Sequence, residues 1–225
     1  KAGNGDYYKN IDGVIKVLYY VNVEPDMPPT YAYVPAGAVV RDAMEAAFES
    51  NNPRGWIIEG GQFVTAFGPD DGDGRVVAGG TSSQIVYCQN HAYALGVGSQ
   101  TMTDRDILVF GVTIDRDKYP TLNNIPNKDD LIWAMGVLAE KCDLPGLESN
   151  EAYAHAKAIA RLWSVNTLGT DGASGYPTNL AAAQQVVDDA LAALKAAYPE
   201  VDFTRYNYPE AVLNVMNLIR AIGTV

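Results

Sequence analysis

The densest group of possible metal ligands in the sequence is an acidic run over residues 68–77, GPDDGDGRVV. Asp70, Asp71 and Asp73 resemble the middle of a calcium-binding loop, in which carboxylate oxygens coordinate the ion. In the closest register, however, the first ligand position holds Pro69 and the position of the bidentate acid holds Gly80. Because the strongest ligands are missing, the sequence predicts an acidic hairpin turn without a bound metal ion.

Cysteines and histidines do not form a metal-binding pattern. Cys88 and Cys142 lie outside any CxxC motif, and the two histidines, His91 and His155, are far apart in the sequence. A structural zinc site needs four closely spaced ligands, so none is expected. Two alternatives remain for the cysteines: one disulfide between Cys88 and Cys142, or two buried thiols. For an exported chain we expect the disulfide, which would tie a strand to the end of the first helix of the second half.

Motifs for nucleophilic or nucleotide chemistry are also missing from the sequence. No Gly-x-Ser-x-Gly surrounds a nucleophile, and residues 96–100, GVGSQ, lack the third glycine and the following helix of a dinucleotide-binding turn. The 27 Asp and Glu residues are too many for one acidic pair to be singled out. We therefore expect no catalytic residues and no cofactor. A secreted hydrolase of unknown substrate is kept as an alternative.

Composition indicates a folded acidic protein. Of the 225 residues, 48% are hydrophobic, and the formal net charge is −11. Nucleic-acid binding requires a basic face, which this charge does not supply, and no apolar run is long enough to span a membrane. The sequence starts at Lys1 and not at Met, as in a mature chain after signal-peptide removal or in a trimmed one. We expect a secreted or cell-surface protein.

Aromatic residues are the best candidates for ligand binding. The sequence contains fourteen Tyr, three Trp and five Phe, and rigid aromatic side chains on loops suit sugars, peptides or other flat ligands. Trp56 follows a loop, and Tyr87 and Tyr93 flank a turn at Asn90 and His91. These five residues are the predicted ligand-binding set, and most of the other aromatic residues are expected to be core or half-buried strand residues. Two further tryptophans lie on helical faces and are predicted to be core residues: Trp133 and Trp163.

The first half of the sequence follows a strand pattern, with short β-branched and aromatic runs between Gly, Pro, Asn and Asp. The Pro-rich run 25–29 is predicted to be a loop. A helix is predicted over 39–48, since Val40, Met44, Ala47 and Phe48 share one face. The predicted strands are 14–23, 30–34, 56–58, 62–67, 75–78, 84–89 and 106–114.

From about residue 129 the apolar period becomes helical. Asn127 and Thr178 are predicted N-caps of the first and third helices. A fourth helix is expected to start near Asn207 and Pro209 and to end at Gly223. The first three predicted helices carry these apolar stripes: Leu131, Met135 and Leu138; Ala152, Ala156, Ile159 and Trp163; Leu180, Ala183, Val187, Leu191 and Leu194.

Two segments together resemble a known family. Residues 30–48, TYAYVPAGAVVRDAMEAAF, are similar to a strand followed by the turn and helix P-x-G-x-x-V-x-D-A-L, and residues 83–112 are similar to its final strands. In that final part, Tyr87, Asn90 and His91 take the places around an Asn-Gly turn, and Asp104, Arg105 and Asp106 take the place of Asp-Gly-Asp. The family is the transcobalamin C-terminal-like domain, a β-grasp-like bacterial surface module. The resemblance covers about residues 14–115.

The sequence pattern and the resemblance together predict an α+β protein in three parts. The resemblance implies a β-grasp-like mixed-sheet domain over 11–117. The sequence pattern predicts a loose leader over 1–10 and an antiparallel bundle of about four helices over 118–225, which we expect to pack on the sheet. The expected function is a non-catalytic bacterial binding or adhesion module for an extracellular glycan, peptide or small molecule, with no nucleic-acid partner. Capture of a corrinoid (cobalamin-like) ligand is the alternative that the resemblance implies.

Overall fold

The structure, a computed structural model, describes residues 14–21, 27–50, 56–69, 76–77, 84–94, 96–113, 126–161 and 179–205. Within these ranges the chain is a mixture of strands and helices and belongs to the α+β class. Several predictions lie outside the described residues: the leader 1–10, the acidic turn at 70–73, the boundary near 118, the core position of Trp163 and the helix expected from Asn207. These remain predictions.

A five-stranded sheet forms the centre of the described structure. Its strands are β1 (Val14–Val21), β2 (Met27–Pro35), β6 (Gln84–Gln89), β7 (Ala92–Ala94) and β8 (Ile107–Thr113). Their order in the sheet is β2-β1-β8-β6-β7. Strand β8 lies in the middle and runs parallel to β1, with Leu18 opposite Ile107, and every other neighbouring pair is antiparallel. A parallel pair cannot be joined by a tight turn, and the chain between β1 and β8 is accordingly long.

Strand β2 begins earlier than the sequence predicts. The Pro-rich run 25–29 was expected to be a loop, but Met27, Pro28 and Pro29 belong to the strand. That expectation is wrong because β2 is an edge strand that pairs only with β1. A proline lacks the N–H that a central strand must donate, whereas an edge strand can leave that position unpaired.

A second, three-stranded antiparallel sheet has the order β3-β4-β5. Its strands are β3 (Trp56–Gly60), β4 (Val64–Pro69) and β5 (Val76–Val77), which confirms the three short strands predicted here. The link between β3 and β4 lies against residues 96–99, where Gln62 Nε2 is 2.5 Å from Ser99 Oγ. Phe63 in that link is 62% exposed.

Helix α1 (Val40–Ser50) covers one face of the five-stranded sheet. Its N-terminus is fixed by the Asp42 carboxylate, which accepts a hydrogen bond of 2.9 Å from the Val39 N–H. Alternate residues of β2 and β8 point toward this helix, as the period of two in a strand requires. The resulting core contains Val17, Ala32, Val34, Val40, Ala43, Met44, Ala47, Val64, Val97, Met102, Leu108 and Phe110.

The opposite face of the sheet is covered by the helices that follow it in the sequence. Tyr31 and Ile107 point to this side and share a core with helices α2, α4 and α5. Trp133, predicted to be a core residue, is 3% exposed, and its ring meets the Tyr31 ring edge-on at 4.9 Å between centroids. The helices are α2 (Asp129–Lys141), α3 (Leu144–Glu148), α4 (Glu151–Arg161) and α5 (Leu180–Ala197).

Helix starts differ from the predictions by one residue. The N-cap of α2 is Lys128 rather than Asn127, whose carboxamide oxygen accepts a hydrogen bond of 2.9 Å from the Asp129 N–H. The N-cap of α5 is Asn179, whose Oδ1 accepts a hydrogen bond of 3.1 Å from the Ala182 N–H. Thr178, the predicted cap, lies outside the described residues. None of the helices in the described ranges is long and apolar enough to cross a membrane.

Candidate functional site

The turn at Asn90 and His91 closes the hairpin between β6 and β7, in which Gln89 lies opposite Ala92. Both turn residues are in the left-handed region, with φ of 51° for Asn90 and 58° for His91. Two successive left-handed residues make the turn type that matches the twist of a two-residue hairpin. Asn adopts this conformation readily, whereas His favours it less than glycine would.

Behind this turn, the Asp106 carboxylate is 1% exposed and accepts four hydrogen bonds. The donors are Gln89 Nε2 at 2.7 Å, Asn90 Nδ2 at 2.6 Å, the Thr103 N–H at 2.8 Å and the Thr103 hydroxyl at 3.0 Å. A buried charge is tolerated when its oxygens are satisfied in this way. We name Gln89, Asn90, Thr103 and Asp106 the Asp106 cluster.

Asn90 is held on both sides of its carboxamide. Its Nδ2 donates to Asp106, and its Oδ1 accepts from the Ile107 N–H at 3.1 Å and from Arg205 Nη2 at 2.6 Å. The predicted ligand-binding residue Asn90 therefore connects the turn, strand β8 and a segment 115 residues later in the chain. Ligand binding by Asn90 remains a prediction, and its side chain is already engaged inside the protein.

Two arginines join the sheet to the segment that follows α5. Arg205 Nε donates to the Arg105 carbonyl at 3.1 Å, and an Arg105 Nη1 hydrogen donates in return to the Arg205 carbonyl. Arg205 Nη1 also lies 3.6 Å from Asp129 Oδ2, and both side chains are 10% exposed. The planar guanidinium can serve several acceptors at fixed angles, which a single ammonium group cannot do.

A concavity of about 510 Å³ opens beside this contact. It lies between the start of α2, the end of α5 and the segment 198–205, and we name it the junction concavity. Three of its lining residues are aromatic and four are charged: Trp133, Tyr198 and Phe203, with Asp130, Lys195, Asp202 and Arg205. Tyr198 and Phe203 are partly buried and pack against the helical core, so this aromatic wall is fixed in place.

Two groups of the junction concavity have shifted pKa values. Hydrogen bonds from the Thr204 hydroxyl and backbone N–H, the latter at 2.9 Å, lower the pKa of Asp202. Burial raises the pKa of the Tyr198 hydroxyl, and the nearby Cys142 and Glu200 raise it further. At neutral pH the concavity therefore carries an ionised Asp202 and a neutral Tyr198 phenol.

The predicted aromatic set is divided between the two sheets. Trp56 is the first residue of β3 in the three-stranded sheet, while Tyr87 in β6 and Tyr93 in β7 belong to the five-stranded sheet. The side chains of these three residues lie outside the part of the chain that the structure describes. His91 is half-buried in the turn, and His155 is exposed on α4, as predicted.

Cys142 is a free, partly buried thiol at the C-cap of α2. The choice between a disulfide with Cys88 and two buried thiols stays a prediction. The Cys88 side chain on β6 is not among those described, so its separation from Cys142 stays untested. Over the described ranges, no group of three His, Cys, Asp or Glu residues could hold a metal ion.

Sequence reasoning missed the residues that build the junction concavity. Asp130 and Lys195 look like ordinary surface charges of helices, and Phe203 and Arg205 follow the last described helix without any motif. The one available signal was Asp104-Arg105-Asp106, which marked the sheet side of the contact with Arg205. Nothing local in the sequence indicates that residues 105 and 205 meet.

Comparisons with known proteins add a distant structural similarity. No protein-family model matches the sequence, and no curated protein does. Among solved structures, a crystal structure of haptocorrin in complex with Cbi is similar, with 18% sequence identity and a TM-score of 0.31. The alignment covers 45% of this chain and 26% of that chain, so this chain matches about a quarter of the haptocorrin length.

Proposed function

We propose that the chain is a non-catalytic binding protein, secreted or on a bacterial cell surface, and that its ligand binds in the junction concavity. The observation that carries this proposal is the lining of that concavity. A volume of about 510 Å³ brings Trp133, Tyr198 and Phe203 together with charged groups. Ligand sites commonly have this size and combine apolar walls with a few polar groups that orient the ligand.

The electrostatics of the concavity favour binding over acid catalysis. A carboxyl group that donates a proton near neutral pH needs a pKa raised toward neutrality. The pKa of Asp202 is shifted the other way by its hydrogen bonds from Thr204. Asp202 is therefore suited to attract or orient a ligand and poorly suited to protonate a leaving group.

We further propose a β-grasp-like fold related to the transcobalamin C-terminal-like domain for the sheet region. The strand order supports it, because β8 pairs in parallel with β1 of the β1–β2 hairpin and α1 packs on one face of the sheet. The turns support it too, since His91 and Arg105, with φ of 58° and 65°, occupy the positions where the family motifs have glycine. Three of the predicted helices, α2, α4 and α5, follow the strands in the described ranges, and this order supports the proposed helical half.

The binding proposal is tested by recording ¹H–¹⁵N NMR spectra with a library of small neutral and charged compounds and, separately, with cobalamin. We expect bound compounds to shift the amides of residues 198–205 and the Trp133 indole signal. Phe203→Ala should weaken those shifts at least threefold, since it removes part of the aromatic wall. Phe63→Ala is the matched control, because Phe63 is an exposed aromatic residue in the β3–β4 link.

Three results would contradict parts of this proposal. Shifts confined to residues 87–93 and Trp56 would move the site to the sheet edge predicted from the sequence. Conversion of a bound compound to a new product, detected by mass spectrometry, would replace binding by the hydrolase alternative. Detection of the protein only in the cytosolic fraction of the cells that produce it would refute the proposed location.

A further inference from the structure

We infer that the junction concavity selects an organic cation, an ammonium or guanidinium group carried on an apolar stem. This inference rests on the proposed binding function and specifies its ligand class. It is argued from the distribution of charge around the aromatic wall.

The aromatic wall supplies a surface that attracts cations. Trp133, Tyr198 and Phe203 line one concavity, and the faces of such rings carry a negative potential. Trp133 is 3% exposed and packs on Tyr31, so it supports the wall from behind, and the partly buried Tyr198 and Phe203 supply the ring surface that a ligand can reach. The apolar stem of a ligand can pack on these rings while its charged end reaches the concavity rim.

The positive charge of Arg205 is offset within the protein. Its guanidinium lies 3.6 Å from the buried Asp129 carboxylate and donates to Asn90 Oδ1 and to the Arg105 carbonyl. These acceptors fix the Arg205 side chain in the wall of the concavity and offset most of its positive charge. Arg205 therefore contributes little to the attraction of an anionic ligand.

The remaining charges favour a cation. The Asp130 side chain is 76% exposed, and its Oδ1 lies 3.9 Å from Arg205 Nη1, so Arg205 is shared between Asp129 and Asp130. Asp202 lies at the same concavity and accepts a hydrogen bond of 2.9 Å from the Thr204 N–H, so three carboxylates surround one guanidinium. Against them stands the exposed ammonium group of Lys195. The formal charge of −11 for the whole chain adds a field of the same sign.

Argininamide is the probe, and citrullinamide, its neutral isostere, is the matched ligand control. We expect argininamide to bind at least about fivefold more tightly than citrullinamide by NMR titration, and to weaken as salt is raised. A blocked Gly-Arg-Gly peptide distinguishes the source of the cation. Tenfold tighter binding of the peptide indicates a basic side chain of a polypeptide, and equal binding indicates a free amine.

Variants that remove one charge of either sign separate this role from a structural one. Asp130→Asn and Asp202→Asn should each weaken argininamide binding about 3- to 10-fold, while Lys195→Gln should strengthen it about twofold or more. A general loss of structure would weaken binding in all three variants. Asp189→Asn on the exposed surface of α5 is the control for loss of one negative charge and should leave affinity within twofold.

The inference is overturned if citrullinamide binds as well as argininamide, or if Lys195→Gln weakens binding. If neutral compounds shift the amides of 198–205 while argininamide does not, the preference for a cation is refuted and the proposed binding function is retained. If no compound shifts those amides, the proposed function falls as well.

Discussion

Replacing Asp106 by Asn tests whether the Asp106 cluster organises the turn end of the sheet. The substitution preserves the shape of the side chain and changes one acceptor oxygen into a donor NH₂. Four donors now converge on the two oxygens of Asp106. Any orientation of the new amide therefore places its NH₂ against at least two of them.

The less costly orientation can be identified from the partners. If the amide oxygen takes the Oδ2 position, it still accepts from Gln89 Nε2 and the Thr103 N–H. The NH₂ then faces the Thr103 hydroxyl, which can rotate to accept, and Asn90 Nδ2, which cannot. One charge-assisted hydrogen bond is lost, and the others become neutral and weaker.

These losses give an expected destabilisation of about 2–4 kcal/mol, because a hydrogen bond to a charged group is worth about 1.5–3 kcal/mol. For a chain of this size that corresponds to a fall in Tm of about 5–15 °C. The measurement is the urea or thermal unfolding midpoint at pH 7. Near-ultraviolet circular dichroism before unfolding checks that the variant is folded.

Asp104→Asn is the matched control, since it is the same substitution two residues earlier in the chain. The Asp104 side chain is 44% exposed, with its Oδ2 3.4 Å from Arg105 Nε, and an exposed ion pair of this kind is worth about 0–1 kcal/mol. If Asp106→Asn is as stable as Asp104→Asn, the buried carboxylate contributes no net stability and the reasoning above is wrong.

Three further outcomes are expected. His91→Gly should raise the free energy of unfolding by about 0.5–1 kcal/mol, because it relieves a left-handed φ of 58°, whereas Ala92→Gly in the adjoining strand should lower it. Arg205→Lys should lower it by about 1–2 kcal/mol in urea unfolding, because an ammonium cannot bind Asn90 Oδ1 and the Arg105 carbonyl together, and an unchanged midpoint would contradict this. Burial raises the pKa of the Tyr31 hydroxyl, so stability should fall as pH rises above about 10, where only the unfolded Tyr31 ionises, and Tyr31→Phe should reduce the fall between pH 9 and 11.

Local sequence was sufficient to predict most described strands and helices. The run 14–21 is β-branched and aromatic, and the spacing of Val40, Met44 and Ala47 indicates one helical face. These patterns follow from burial on one side of each element, so they are visible without knowing what lies opposite. The start of β2 could not be predicted from local sequence, because prolines are accepted in a strand only at the edge of a sheet. Whether a strand lies at the edge depends on the pairing of the whole sheet.

Prediction of the site was limited by sequence distance. Asn90 was identified from a turn motif, and its nearby partner Asp106 stands in the second motif of the same resemblance. The partner Arg205 lies 115 residues from Asn90, and the junction concavity is assembled from the ends of two helices and the segment after them. Charges at helix ends are ordinary on any solvent-facing helix, so their convergence appears only in three dimensions.

Arg105 stands where the resembled motif has glycine, and it makes contacts that glycine cannot make. The motif that this segment of the sequence resembles has glycine at this position, and Arg105 has the left-handed backbone conformation that glycine suits, with φ of 65°. A non-glycine residue held there costs roughly 1 kcal/mol or more. The Arg105 side chain offsets that cost by donating to the carbonyls of Thr204 and Arg205, which glycine could not do. The replacement therefore connects the sheet to the segment that walls the junction concavity, and Arg105→Gly should relax the turn while loosening residues 198–205, measurable as faster amide exchange in that segment with little change at the turn.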